Sequence, residues 1–300
     1  MTLNDYVKFF ELCDSLPLEM REFHKRLCHF FPQYSELDID CFVEVLIGNN
    51  APFCRIQEKP QHNQQDSNAQ LSLIDITTRS LDFRDCKLCF VDIESTSSSV
   101  QNGQIIEIGA LIAQNGKILD TFDTLIYSPF VPEEITMLTG INATMLVDAP
   151  KVHDVLVDFR AFLSDCIFVA HSVGFDYSFI SESMQAYDMP PLLNARLCTL
   201  ELSRKVILSY KHALPFLNEM LGINTSISHR AFADALTSFE LYKICALCLP
   251  EKVQSIQDVI DFSRGKMNYP NRSTSKASLT KHSTKYALTH NHIVNLFQNS

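Results

Sequence analysis

The chain has 300 residues, is 46% hydrophobic and 20% charged, and carries a formal net charge of −10. Its length suggests about two domains, and its composition supplies enough apolar surface for a sizeable core, which excludes a disordered chain and a small disulfide scaffold. The acidic balance argues against a uniformly basic, phosphate-coating surface. No apolar run approaches membrane-spanning length and the first residues lack a basic, apolar leader, so a cytoplasmic protein with no membrane partner is expected.

The ten cysteines are scattered through apolar segments, as buried thiols are in a reducing compartment. Cys86 with Cys89 and Cys245 with Cys248 form two Cys-x-x-Cys pairs. Their separation is far from zinc-ribbon spacing, so core packing is favoured and no structural zinc is expected.

In chain order, apolar residues recurring every three or four predict helices over Leu3 to Leu16, Leu18 to Phe31 and Ser35 to Ile47. Two β-like runs follow, Phe53 to Glu58 and Gln70 to Thr77, around a polar tip. Three helices and a hairpin predict a small helical, winged-helix-like domain over residues 1–80. Its third helix carries Glu36, Asp38, Asp40 and Glu44 and no Lys or Arg. That favours a structural or protein-docking role over reading a DNA groove.

From residue 86 to 250 strands alternate with helices, the pattern of an α/β domain. Strands are expected over Leu88 to Glu94, Gln104 to Ala113, Lys117 to Ser128 and Ile167 to His171, with a tight turn at Asn115-Gly116. Helices are expected over Pro132 to Leu146, Lys151 to Asp165, Phe175 to Tyr187, Leu197 to Ile207, His212 to Leu221 and His229 to Cys248. Residues 251–300 read as a terminal helix, a flexible basic linker and a docking tail. Between Arg264 and Lys285 there are six Lys and Arg residues and no acid, which relieves the objection that net charge raises to nucleic-acid binding.

Three places concentrate chemistry. Asp92 and Glu94 sit two apart at the end of an apolar strand, so both point to one side, and two neighbouring anions losing solvent call for a cation. An acid pair at a strand end facing water is the plain alternative. Asp176 follows the strand that ends at His171, at the carboxyl edge where α/β domains place their sites, although an acid in a first helical turn is common without any function. His229 and Asp234 are five apart at a helix start and can face one centre, and Asp234 lies among Ala231, Phe232, Ala233, Ala235 and Leu236. His171 reads as a histidine held by the backbone rather than a catalytic one.

In this order, Asp92-x-Glu94, His171-x-x-x-Phe175-Asp176 and His229-x-Ala231-x-x-Asp234-Ala235 resemble the DEDDh, or DnaQ-like, exonucleases, which include the proofreading epsilon subunit of bacterial DNA polymerase III. The resemblance runs from about Leu88 to Leu249 and takes in Leu138-Thr-Gly-Ile141. It implies an RNase H-like α/β fold, a mixed central sheet flanked by helices, and a 3′–5′ exonuclease that releases nucleoside 5′-monophosphates. It also implies two Mg²⁺ or Mn²⁺ ions held by Asp92, Glu94, Asp176 and Asp234, with His229 as general base. Ser95, Thr96 and Phe175 are the implied substrate contacts.

The chain departs from the family where Glu94-Ser95-Thr96-Ser97 replaces Glu-Thr-Thr-Gly, where Ser172 stands for Asn, and where Cys198-Thr199 stands for Asp-Thr. These changes touch the substrate pocket and spare the acids. Near the end, Asn291, Val294, Leu296 and Phe297 resemble a degenerate sliding-clamp peptide, with packing of a small tail helix on its own domain as the equal alternative. The implied partners are single-stranded DNA or primer 3′ ends, the polymerase III alpha subunit and the clamp. The alternatives are a free-standing exoribonuclease of the ribonuclease T or oligoribonuclease type, and a binding module without catalysis.

Overall fold

The computed structural model describes residues 8, 11–13, 16–29, 32, 35–36, 38–58, 71–223 and 229–267. Its centre is a five-stranded sheet in the order β6-β5-β4-β7-β8. Strand β4 (Leu88–Ser95) pairs antiparallel with β5 (Ile105–Gln114), which pairs antiparallel with β6 (Lys117–Leu125). On its other side β4 runs parallel to β7 (Ile167–Ala170), and β7 runs parallel to β8 (Arg196–Cys198). Asn115 and Gly116 turn β5 into β6 with φ of 53° and 70°. Two successive left-handed residues match the twist of the flanking strands. The outer strand β6 is largely exposed and carries Lys117, Asp120 and Asp123, charges that discourage edge-to-edge pairing.

Period-two alternation divides β4 between two cores. Cys89, Val91 and Ile93 face one side, covered by helices α4 (Val152–Leu163) and α5 (Gly174–Ala186) through Val155, Phe159, Tyr177 and Ile180. Leu88 and Phe90 face the other side, covered by α6 (Thr199–Val206), α7 (Leu214–Leu221), α8 (Ala231–Ala246) and α9 (Ile256–Ser263). Phe90 meets Phe239 and Tyr242 of α8 at ring-centroid distances of 5.3 and 5.5 Å. Asp92 and Glu94 continue the row of Leu88 and Phe90 and therefore point toward α8.

The first region contains α1 (Met20–Leu27), α2 (Ile39–Gly48) and a sheet in the order β1-β3-β2, from β1 (Leu18–Glu19), β2 (Phe53–Glu58) and β3 (Leu71–Ile76). Arg55 on β2 pairs with Asp40 and Glu44 of α2 at 2.5 and 3.1 Å, so part of that helix's acidity is neutralised within the domain. A seam joins the region after β3 to the C-terminal helix. Phe83 N–H donates to Gln254, Ile256 N–H donates to Leu81, and the buried Thr78 hydroxyl donates to Gln257 Oε1 at 2.7 Å.

Several expected boundaries move. Leu18–Glu19 is a strand, not helix, because it pairs with Leu73 and Ile74 of β3. The next helix begins at Ile39, where the Asp38 carboxylate caps Asp40 and Cys41. The helix expected over 132–146 breaks at Gly140, φ 74°, leaving α3 (Glu133–Thr139) and a 3-10 turn at Ala143–Leu146. Residues 196–198 form the edge strand β8 before α6 starts. Cys248 lies beyond the end of α8. The expected helix at 3–16 lies largely outside the described residues, as do the polar tip, the linker over 268–289 and the tail residues Asn291, Val294, Leu296 and Phe297.

Candidate active site

Asp92, Glu94 and Asp234 each offer a carboxylate oxygen, and the three oxygens lie within 4.8 Å of one another. The approach of α8 to the strands makes this possible. Gly109 is the β5 residue directly opposite Asp92. A Cβ there would stand 2.0 Å from the Phe232 nitrogen and 2.2 Å from the Ala231 carbonyl carbon, so only glycine admits the first turn of α8 at this depth. Asp234 sits in that turn.

The chain enters α8 through His229, held at φ 63°. Its backbone N–H donates to Asp234 Oδ2 at 3.0 Å, so the acid closes the turn as it joins the cluster. The histidine therefore precedes the helix instead of opening it, five residues from Asp234 and attached to it through the main chain.

Asp176 reaches the site from the other core. Strand β7 stops at Ala170, and beyond its end the Ile93 N–H is taken by Asp176 Oδ1 at 3.2 Å. This buried carboxylate is thus fastened to β4 between Asp92 and Glu94 without joining the three-oxygen cluster.

Electrostatics follow from the crowding. Burial, then Asp176, Asp234 and Glu94, hold the Asp92 carboxyl well above the usual range. Burial, then Glu107, pushes Glu94 up to about 8, with Arg230 opposing. Burial pushes Asp176 up to about 7 against its backbone hydrogen bonds. Asp234 is raised by burial, against the hydrogen bond from His229. Oxygen-only donors that repel one another in a partly dry cleft fit a hard divalent cation.

Sequence reading missed Glu107. It is buried on β5 directly opposite Glu94, and it accepts from Arg230 Nη2 at 2.5 Å, from Arg230 Nε at 3.0 Å and from the Ala231 N–H at 2.9 Å. An acid inside the run Ile105-Ile106-Glu107-Ile108 was the available signal, since such a group needs a partner when buried.

The other expected residues fall around this centre. Phe175, 41% exposed, borders a groove of about 410 Å³ with Ser98, Ser99, Val100, Gln101, Gly174 and Ser178. Ser95 Oγ donates to the Ser97 carbonyl, and Thr96 Oγ1 accepts from the Gln104 N–H, so both hydroxyls shape the loop that forms the groove's far wall. His171 bridges Thr199 Oγ1 and the His212 carbonyl at 3.0 and 2.8 Å, and burial lowers it to about 4. Burial raises the thiols of Cys86 to about 12 and of Cys166 and Cys248 to about 11, and lifts Cys89 and Cys245 too, which keeps them protonated.

Residues 89–242 match the RNase T exonuclease family, and this span holds all four acids and His229. The chain belongs to that family. It is a DnaQ-like 3′–5′ exonuclease of the DEDD group. It is 37% identical over 154 residues to the DNA polymerase III subunit epsilon of Aquifex aeolicus, an alignment covering 51% of this chain and 76% of that protein. It is 38% identical over 154 residues to a PolC-type DNA polymerase III of Staphylococcus aureus, covering 50% of this chain but 11% of that protein. The fold is shared with exonuclease I, at a TM-score of 0.51 and 13% identity over 59% of this chain and 43% of that one. An E. coli exonuclease I complex with a dA16 oligonucleotide gives a TM-score of 0.50 and 14% identity over 54% and 41% of the two chains. No helix among the described residues is long and apolar enough to cross a membrane.

Proposed function

We propose that this chain is a metal-dependent exonuclease that removes nucleoside 5′-monophosphates from DNA 3′ ends as the proofreading component of a replicative polymerase. The observation that carries this reading is the convergence of Asp92, Glu94 and Asp234 inside a domain more than a third identical to parts of two polymerase III proteins. In the PolC-type relative the alignment covers a small part of a much longer chain. That is the relation expected of an exonuclease module serving a polymerase.

Asp92, Glu94 and Asp234 would hold Mg²⁺ or Mn²⁺, with Asp176 beside them. Such ions supply a hydroxide nucleophile at neutral pH and offset charge on the phosphoryl oxygens. The His229 imidazole would take the proton of the attacking water as general base. The Phe175 ring, next in sequence to Asp176, offers a stacking face for the terminal base, and the groove beside it would take the adjoining strand.

The deciding experiment incubates the full chain and Mg²⁺ or Mn²⁺ with 3′-mismatched DNA primers and with short RNA, with and without a replicative polymerase. Faster removal of mismatched than matched termini, increased by polymerase, supports the reading. Preference for RNA without any polymerase effect would move the chain to the exoribonucleases.

The first region, with its helices, late hairpin and β1 completing the small sheet, supports a winged-helix-like domain. The pairing of Arg55 with Asp40 and Glu44 favours a structural or protein-facing role for α2. The C-terminal peptide around Asn291, Val294, Leu296 and Phe297 is assigned to clamp or polymerase docking. Deleting the last ten residues should then weaken pull-down of either partner and leave nuclease activity intact.

A further inference from the structure

We infer that Glu107 is a positioning residue that sequesters Arg230, keeping its guanidinium from occupying the place of the metal beside Glu94. The inference rests on the metal-site reading above and adds a residue pair to it. Glu94 and Glu107 are directly opposed on adjacent antiparallel strands, so their side chains leave the same face of the sheet as near neighbours. A guanidinium bound to both Glu107 oxygens is therefore within reach of Glu94. Arg230 is one residue from His229 and stands at the N-cap of α8, so its backbone is fixed beside the site by the helix start.

Glu107 performs two tasks at once. Oε1 accepts from Arg230 Nη2 and Nε at 2.5 and 3.0 Å, and Oε2 accepts from the Ala231 N–H at 2.9 Å and from Arg230 Nε at 3.2 Å. The first task directs a fixed positive charge away from the three-carboxylate cluster. The second fixes the turn that presents Asp234, above the missing Cβ of Gly109. Without the Glu107 charge, Arg230 would be shared between Asp123 on β6, its next carboxylate neighbour, and Glu94, and at Glu94 it would compete with the divalent ion.

The competition gives an unusual pattern for a pair of mutations. Glu107→Gln retains an oxygen for the Ala231 N–H but removes the charge and the two Oε1 bonds that hold Arg230, leaving at most the 3.2 Å contact to Nε. Arg230→Gln removes the competitor and leaves Glu107 buried without its guanidinium partner. Titrating Mn²⁺ into the full chain by calorimetry, without substrate, Glu107→Gln should weaken binding by about 10–100-fold, the usual cost of losing a group that orients metal ligands. Arg230→Gln should bind Mn²⁺ at least as tightly as the unaltered chain while melting at a lower temperature. The double variant should regain affinity to within about threefold of the unaltered chain, a rescue that competition predicts and a purely structural pair does not. Unchanged Mn²⁺ affinity in Glu107→Gln, or a double variant no better than Glu107→Gln, would overturn the assignment of the pair alone. Asp92→Asn should lose Mn²⁺ binding in the same titration. Its retention would overturn the metal-site reading and this inference together.

Discussion

The His229 N–H donates to Asp234 Oδ2 at 3.0 Å, so one carboxylate both fastens the entry to α8 and belongs to the acidic cluster. Substitutions that separate charge from hydrogen bonding should separate these duties. Asp234→Asn keeps an acceptor, so it should melt near the unaltered chain yet lose nuclease activity. Asp234→Ala should lose activity and also about 1 kcal/mol of stability, as helix-start acceptors do. Calorimetric melting alongside single-turnover cleavage checks both. Full activity in either variant would remove Asp234 from the metal site.

Gly109→Ala should be far more damaging than its size suggests. Its new methyl would stand 2.0 Å from a main-chain nitrogen that no rotamer change can move. Either the strand or the helix start must shift, at about 1–3 kcal/mol. A displacement of about 1 Å at the reacting groups lowers turnover about a hundredfold. Cleavage within threefold of the unaltered chain would show that the close approach is dispensable.

The raised carboxyls carry a pH signature in metal-free protein. Glu94 is pushed up to about 8 and Asp176 to about 7 by burial, so the folded chain holds protons that the unfolded chain releases. Their contribution is therefore present at low pH and is lost as pH rises through those values. In EDTA, melting temperature should fall between about pH 5 and about pH 8 from this cause, and Glu94→Gln should flatten the fall. Added Mn²⁺ should stabilise most at the alkaline end, where protons no longer compete for the carboxylates. A metal-induced shift that grows toward acid pH would contradict this account.

The two histidines of the family-like motif should respond oppositely. His171 is held by Thr199 and the His212 carbonyl, so His171→Ala should cost about 1–3 kcal/mol by leaving buried groups unsatisfied, with turnover retained at moderate temperature. His229→Ala should slow cleavage by about a hundred- to ten-thousandfold with little change in melting. Comparing kcat with melting temperature for both variants decides which imidazole does chemistry.

Ser172 occupies φ 76° where β7 turns toward α5. Asn tolerates this left-handed conformation better than Ser. Ser172→Asn should raise stability by about 0.5 kcal/mol, read as a higher melting temperature.

The alternation through Leu88, Phe90, Asp92 and Glu94 was enough to place both acids on one face, and the structure puts that face under α8. The Asn115-Gly116 turn was equally plain because its chemistry is local. Glu107 stood out only as an acid in an apolar run, because its place opposite Glu94 and its pairing with Arg230 depend on cross-strand register and a contact distant in sequence. Gly109 escaped for the same reason, as its neighbour Phe232 is more than a hundred residues away in sequence. The fastening of Asp176 to Ile93 depends on how early β7 ends. Strand β8 was hidden because Leu197 and Cys198 continue the apolar pattern of the following helix.

The buried contact of Thr78 with Gln257 has a consequence for anything attached to the enzyme. Chain from before and after the family-matched segment meets at this seam, flanked by the main-chain bonds of Leu81 and Phe83 with residues 254 and 256. A load hung on the first region and a load hung beyond Met267 would pull on neighbouring anchor points. Substitutions at Thr78 or Gln257 would therefore loosen both anchor points together.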